Sequence, residues 1–270
     1  KRYMMEQHIV PYFGNQMMSE ITAGQIIQWQ NEMQTKGFSE AYLRMIQNQL
    51  TSLYTHASKI YDLHANPCKK VKRMGSSDNR SLDFWTVDEY QKFIQTMEPG
   101  TRYYLIFEIL FWTGCRIGEL LALTPADFDF ENNTMRINKN YQKVKGREII
   151  TSPKTKKSNR VVKIPQFLAD EIKDYMKCFY DLKPDQRLFF KSKGYLGHEI
   201  TRGSKKAGIK RINIHALRHS HISLLMDRGF SALDIAERVG HEAISITYKY
   251  AHMYPNKQDE MARKLEEERS

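Results

Sequence analysis

Apolar residues in the first sixty positions recur every three or four places, the period of an amphipathic helix. In I-T-A-G-Q-I-I-Q-W-Q-N-E-M, Ile26, Trp29 and Met33 fall on one side, and Thr22 is placed to cap the helix. After Gly37-Phe38, Ser39 opens a second helix whose apolar positions include Tyr42, Met45, Leu50 and Leu53. The pattern stops at N-P-C-K-K-V-K-R-M-G-S-S-D-N-R, where Pro67 ends the helix and a basic, then small and polar run follows. The expected layout is a helical domain over 1–65 and a basic linker over 66–80.

From Ser81 the pattern restarts. Thr86 with Glu89 three places on makes a capping box. Y-L-I-F-E-I-L-F-W is apolar all round, a buried helix ended at Thr113-Gly114. Asp127 to Tyr141 alternates like short strands, and Arg147–Ser152 and Arg160–Ile164 read as further strands flanking P-K-T-K-K-S-N, a polar hairpin tip. The remainder reads as helices at about 166–180, 197–207, 215–228 and 231–239, with a helical tail. The expected fold is mainly α with a small antiparallel β-sheet: a second domain over 81–253 and a C-terminal tail over 254–270.

Charge changes this picture. The 270 residues carry 42 Lys and Arg against 31 Asp and Glu, a formal net charge of +11, which points to a polyanionic partner. Within 66–80, Lys69, Lys70, Lys72 and Arg73 could follow a phosphate backbone. No apolar run approaches the ~20 residues of a membrane span, and no signal peptide is visible. Cys68, Cys115 and Cys178 form no CxxC, which suits a reducing cytoplasm and argues against a zinc site. The chain begins helically almost at once, which fits removal of a preceding segment.

Candidate chemistry is concentrated in the second domain. H-A-L-R-H-S-H-I-S-L-L sets His215 and Arg218 three apart, on one side of a helix that Leu217, Leu224 and Leu225 would anchor. A guanidinium fork fits two phosphoryl oxygens, and an imidazole can move a proton near neutral pH. T-G-C-R-I-G-E-L-L-A-L puts Arg116 at a helix start among apolar elements, with Glu119 placed to orient it. Lys154 lies in P-K-T-K-K-S-N-R between strands. His241 follows a glycine, and Tyr250 comes nine positions later. His219, His221 and His252 read as structural neighbours, and Tyr248 is a rival to Tyr250.

In order, T-G-C-R-I-G-E-L, P-K-T-K-K-S-N-R, H-A-L-R-H-S, V-G-H and T-Y-K-Y-A-H resemble the motif series of the tyrosine recombinases. H-I-V-P-Y-F-G and I-T-A-G-Q-I-I-Q-W look like that family's core-binding domain. Further details resemble phage and conjugative-transposon integrases, which often carry an arm-binding domain ahead of the core.

The resemblance implies a site-specific recombinase that cleaves and rejoins DNA through a covalent 3′-phosphotyrosine. In that reading Tyr250 is the nucleophile, and Arg116 and Arg218 clamp the phosphate. His215 handles the nucleophile's proton, Lys154 protonates the leaving 5′-oxygen, and His241 donates to the phosphate. Neither metal nor nucleotide cofactor is implied. The implied partners are double-stranded attachment-site DNA, gripped between the two domains, and accessory directionality or DNA-bending proteins. The chain would be a monomer when free and a homo-tetramer in the synaptic complex, with the tail docking on a neighbouring protomer. The expected location is the cytoplasm, on the nucleoid. The alternatives are a type IB-like topoisomerase and a catalytically silent DNA-binding regulator.

Overall fold

The computed structural model describes residues 1–76, 83–153, 156–190, 193–241, 247 and 258–269. The chain divides into two compact units, Lys1–Ser81 and Leu82–Ser270.

The first unit holds helices α1 (Arg2–His8), α2 (Val10–Phe13), α3 (Ala23–Thr35) and α4 (Glu40–Ile60). Thr22 caps α3 in a reciprocal box: its backbone N–H donates to Gln25 Oε1 (2.8 Å), and its hydroxyl accepts from the Gln25 backbone N–H (3.3 Å). Ser39 caps α4. On α3 the inner face is the one the spacing predicts, Ile26, Trp29 and Met33, but on α4 it is Leu43, Ile46, Leu50 and Tyr54. Of the expected α4 set only Leu50 is buried, Met45 is exposed, and Tyr42 and Leu53 are half-buried, because a second apolar series one position along has the same three- and four-residue spacing.

Asn66–Ser76 departs from the expected free linker. It packs on the first unit as a 3₁₀ turn (Pro67–Lys69) followed by an irregular, bending stretch, burying Cys68, Val71 and Met74 in the same core. Gln30 Nε2 donates to the Lys72 carbonyl (2.8 Å), and Arg44 to that of Gly75 (3.2 Å). The reason is a spacing hidden under charge. The three apolar residues are three apart and turn inward, which leaves Lys69, Lys70, Lys72 and Arg73 exposed.

The second unit is built on α6 (Arg102–Thr113), buried on nearly every side. Around it lie α5 (Val87–Ile94), α8 (Gln166–Lys177), α9 (Lys193–Ala207) and α10 (Ala216–Asp227), with Tyr90 of α5 stacked on Phe111 at 3.7 Å. Thr86 and Glu89 form the capping box of α5. Among the buried groups is the Glu108 carboxylate, which accepts from Tyr90 (2.7 Å) and Trp112 (2.9 Å); burial pushes its pKa up to about 7.

The strands form two antiparallel sheets instead of one. β1 (Phe128–Asp129), β2 (Thr134–Ile137) and β5 (Arg160–Lys163) make one, and β3 (Asn140–Val144) with β4 (Arg147–Thr151) makes the other. β4 and β5 are not hairpin partners. β4 pairs back on β3 across the Lys145-Gly146 turn, where both residues have positive φ, while β5 returns to pair with β2. The β3–β4 hairpin is held at its root. Arg187 lies 4.2 Å from the Tyr141 ring and pairs with Glu148, and a methyl added at Gly118 would meet Asn140 Oδ1 at 2.3 Å.

A candidate phosphate-binding active site

Three elements of the second unit meet at one place. The first is the C-terminus of α6. Gly114 stops that helix at φ 64°, where a side chain would be strained, and a methyl there would meet the His221 ring at 2.5 Å. This tight exit sets Arg116 at the start of α7 (Ile117–Leu120). The second is α10, whose first residues carry His215 and Arg218; Leu217 is fully buried beneath them. The third is the end of α11 (Ala232–Val239), where Gly240 at φ 70° turns the chain into His241.

Arg218 is 3 % exposed. Its Nη1 donates to the Gly114 carbonyl (2.8 Å), while Nη2 is buried with no partner among the described residues. Burial, then the charge of Arg116, pushes its pKa down to about 9, so it remains a cation at neutral pH. Arg116 keeps about a third of its side chain exposed. Its Nη1 donates to Glu119 Oε1 (2.8 Å), its backbone N–H to Glu119 Oε2 (2.9 Å), and its Nη2 to the Gly240 carbonyl (3.2 Å). Both Nη atoms of Arg116 are thus paired while part of its side chain stays exposed.

Glu119 is itself buried. Burial alone would raise its pKa, but Arg160 and then Arg116 outweigh that and hold the carboxyl below its ordinary range. It is thus an anion at neutral pH, and only one. Arg116 and Arg160 bond to it, Arg218 lies within reach of its charge, and Arg238 stands beside Arg160, so the cluster carries excess positive charge with a guanidinium edge unfilled. A phosphate diester is an anion of the right charge and geometry to fill it.

The histidines here are neutral at pH 7. His215 is exposed at its edge, yet burial of the ring, then Arg218 and Arg116, lowers its pKa. His241 is buried, its Nδ1 2.9 Å from Thr247 Oγ1, and its pKa is lowered to about 3 by burial and then Arg218. His219 packs edge-on to His215 at 5.1 Å. His221 is buried behind Gly114 and accepts from Arg238 Nε (3.1 Å).

The structure brings together Arg116, Glu119, His215, Arg218 and His241. Lys154, Tyr248, Tyr250 and His252 lie outside the described residues. Lys69, Lys70, Lys72 and Arg73 belong to the first unit, away from this cluster in the chain. Arg160 and Arg238 were missed by sequence reasoning. Arg160 stands in the already quoted P-K-T-K-K-S-N-R, a cation opening a strand whose next-but-one residue, Val162, is core.

Residues 83–257 match the family model described as the phage integrase family, and residues 1–34 match that of the phage integrase N-terminal SAM-like domain. The chain belongs to the phage integrase family. With that membership comes the activity class of the tyrosine recombinases, site-specific breakage and rejoining of DNA. Among this integrase's relatives, the ICEBs1 integrase of Bacillus subtilis is 30% identical over 282 residues, covering 99% of this chain and 76% of the relative. A XerC-like tyrosine recombinase of Caldanaerobacter subterraneus is 28% identical, covering 88% and 69%. The fold is shared with the Tn1549 transposon integrase solved with transposon right-end DNA (TM-score 0.77, 20% identity, 99% of this chain and 90% of that one). It is also shared with the XerH recombinase on its difH substrate (TM-score 0.68, 23% identity, 95% and 76%). No described helix of this integrase is long and apolar enough to cross a membrane.

Proposed function

We propose that this recombinase cuts attachment-site DNA with Tyr250 and holds the scissile phosphate on Arg116 and Arg218. The observation that carries the proposal is Arg218: a nearly buried cation with Nη2 unfilled, beside Arg116 and under a single shared carboxylate. Burying such a charge without a partner is costly, and the missing partner has the charge of a phosphate.

The steps follow from the groups. The Tyr250 oxygen attacks phosphorus, the P–O5′ bond breaks, and the 3′-phosphate becomes an ester of the tyrosine. The phenol proton passes to His215, which is neutral and can accept it. Lys154 gives a proton to the departing 5′-oxygen. Arg116 and Arg218 face the oxygens whose negative charge grows in the five-coordinate transition state, and His241 donates to one of them. The stored phosphotyrosine bond is then attacked by another strand's 5′-hydroxyl, which returns the tyrosine and needs no external energy source.

Exposed Lys69, Lys70, Lys72 and Arg73 would track DNA phosphates and make affinity fall with salt. Exchange between two duplexes requires four cleavages and hence four protomers. The helix Gln258–Arg269, with Leu265 72% exposed, is the segment offered to a neighbour.

The test is a nicked suicide duplex taken from the junction DNA flanking the gene. Wild type should become covalently linked to it, and Tyr250→Phe should bind it equally but form no adduct. An adduct that survives Tyr250→Phe and disappears in Tyr248→Phe would move the nucleophile. No adduct with wild type would leave a DNA-binding regulator.

A further inference from the structure

The charges of the site converge on Arg160, the first residue of β5, whose side chain is 7% exposed. Every nitrogen of its guanidinium is engaged. Nε donates to the Arg238 carbonyl (2.9 Å), Nη1 to the Ser158 carbonyl (3.2 Å) and Glu119 Oε1 (3.4 Å), and Nη2 to Glu119 Oε2 (3.0 Å). The backbone at Gly240 lies against it, so that a methyl there would stand 3.0 Å from Nη1 and 3.0 Å from the Lys157 carbonyl. One planar group thus touches the end of the segment that carries Lys154, the carboxylate that aims Arg116, and the turn that carries His241.

We propose that Arg160 is a positioning residue for strand cleavage, fixing the lysine-bearing segment and the Arg116 clamp in one frame. The proposal rests on the reading of Lys154 as leaving-group acid and Arg116 as phosphate clamp. The Glu119 carboxylate shows why an arginine is used. Oε1 accepts from Arg116 Nη1 and Arg160 Nη1, and Oε2 from the Arg116 backbone N–H and Arg160 Nη2. Four donors on two oxygens fix both the place and the plane of the carboxylate, and through it the direction of Arg116. An apolar pair of similar volume would join β5 to α7 at less desolvation cost, so cohesion alone is a weak reason for a buried Arg–Glu pair. A lysine in this place could not reach Arg238, Ser158 and both carboxylate oxygens together.

The test separates positioning from mere support by changing the leaving group. Single-turnover cleavage is measured for Arg160→Met and Arg160→Lys on nicked duplexes with oxygen or sulfur at the bridging 5′ position, alongside DNA affinity and Tm. Sulfur departs without a proton and bypasses Lys154, so Lys154→Ala, rescued by sulfur, is the reference. Arg160→Met should bind DNA normally and cleave the oxygen substrate on the order of a hundredfold more slowly, the usual result of a small misplacement of reacting groups. On the sulfur substrate its loss should be several-fold smaller, with Arg160→Lys intermediate on both. If Arg160→Met does not fold, the oxygen-to-sulfur ratio in Arg160→Lys decides. Equal losses on the two substrates, or oxygen cleavage within a few-fold of wild type, would overturn the proposal. A wild-type protein that forms no adduct, or a Lys154→Ala variant that sulfur does not rescue, would instead bring down the reading beneath it.

Discussion

The two units bury polar groups in opposite ways. In the first, the buried polar side chains near the core centre are neutral and spend most of their hydrogen bonds within the unit, with Gln47 Nε2 left unfilled. Trp29 donates to the His8 carbonyl (2.7 Å), Tyr54 to the Met18 carbonyl (3.1 Å), and Gln30 to Gln47 and to the Lys72 carbonyl (2.9 and 2.8 Å). In the second, full charges are buried: Glu119, Arg160 and Arg218 are each under a tenth exposed, and one Arg218 nitrogen is unfilled. Neutral buried hydrogen bonds tie a fold together at little cost, whereas an excess of buried cations weakens the fold and prepares it for an anion. The first arrangement is built for cohesion and the second for chemistry.

The largest expected effect on stability therefore lies in the first unit. Trp29→Ala removes a fully buried indole and its hydrogen bond, and should destabilise that unit by about 3–5 kcal/mol. A urea melt of the full chain should show the first unit opening early while the second is retained. A change below about 1 kcal/mol would mean that Trp29 is not the keystone its burial implies.

A smaller effect of acid falls mostly on the second unit, although His8 of the first is lowered in the same direction by burial. His221 and His241 have pKa values of about 3 in the folded chain, below the ordinary 6.5. The unfolded chain therefore takes up protons first. The stability these histidines contribute is complete above pH 6.5 and declines as pH falls from there toward 3. His215, lowered in the same direction, stays a competent base down to pH 6.5, so the acid limb of the cleavage rate should lie below that value. A rate already halved above pH 6.5 would show that His215 is not the base.

Much of this contrast was legible in local sequence. Capping residues Thr22, Ser39 and Thr86 fix helix starts through bonds to residues three places on, and such signals need no tertiary knowledge. The Arg116–Glu119 pair and the His215–Arg218 side were legible for the same reason. Partners far apart in the chain were not. Arg160 meets Glu119 across 41 positions, and Arg238 meets Trp112 across 126. The pairing of β4 was misjudged because two neighbouring strands look like a hairpin until β3 is seen to claim one of them. At Cys68, Val71 and Met74 the apolar spacing was present in the sequence but masked by the cations between them.

The account depends most on Arg218 being buried for the phosphate and not for the fold. Arg218→Met keeps much of the side chain's volume and removes the charge. Tm, affinity for the attachment-site duplex and single-turnover cleavage of the nicked duplex should be measured on the same preparation. The account predicts an unchanged or higher Tm, affinity within a few-fold of wild type, and cleavage slower by about a hundredfold or more. A lower Tm with cleavage near the wild-type rate would contradict it.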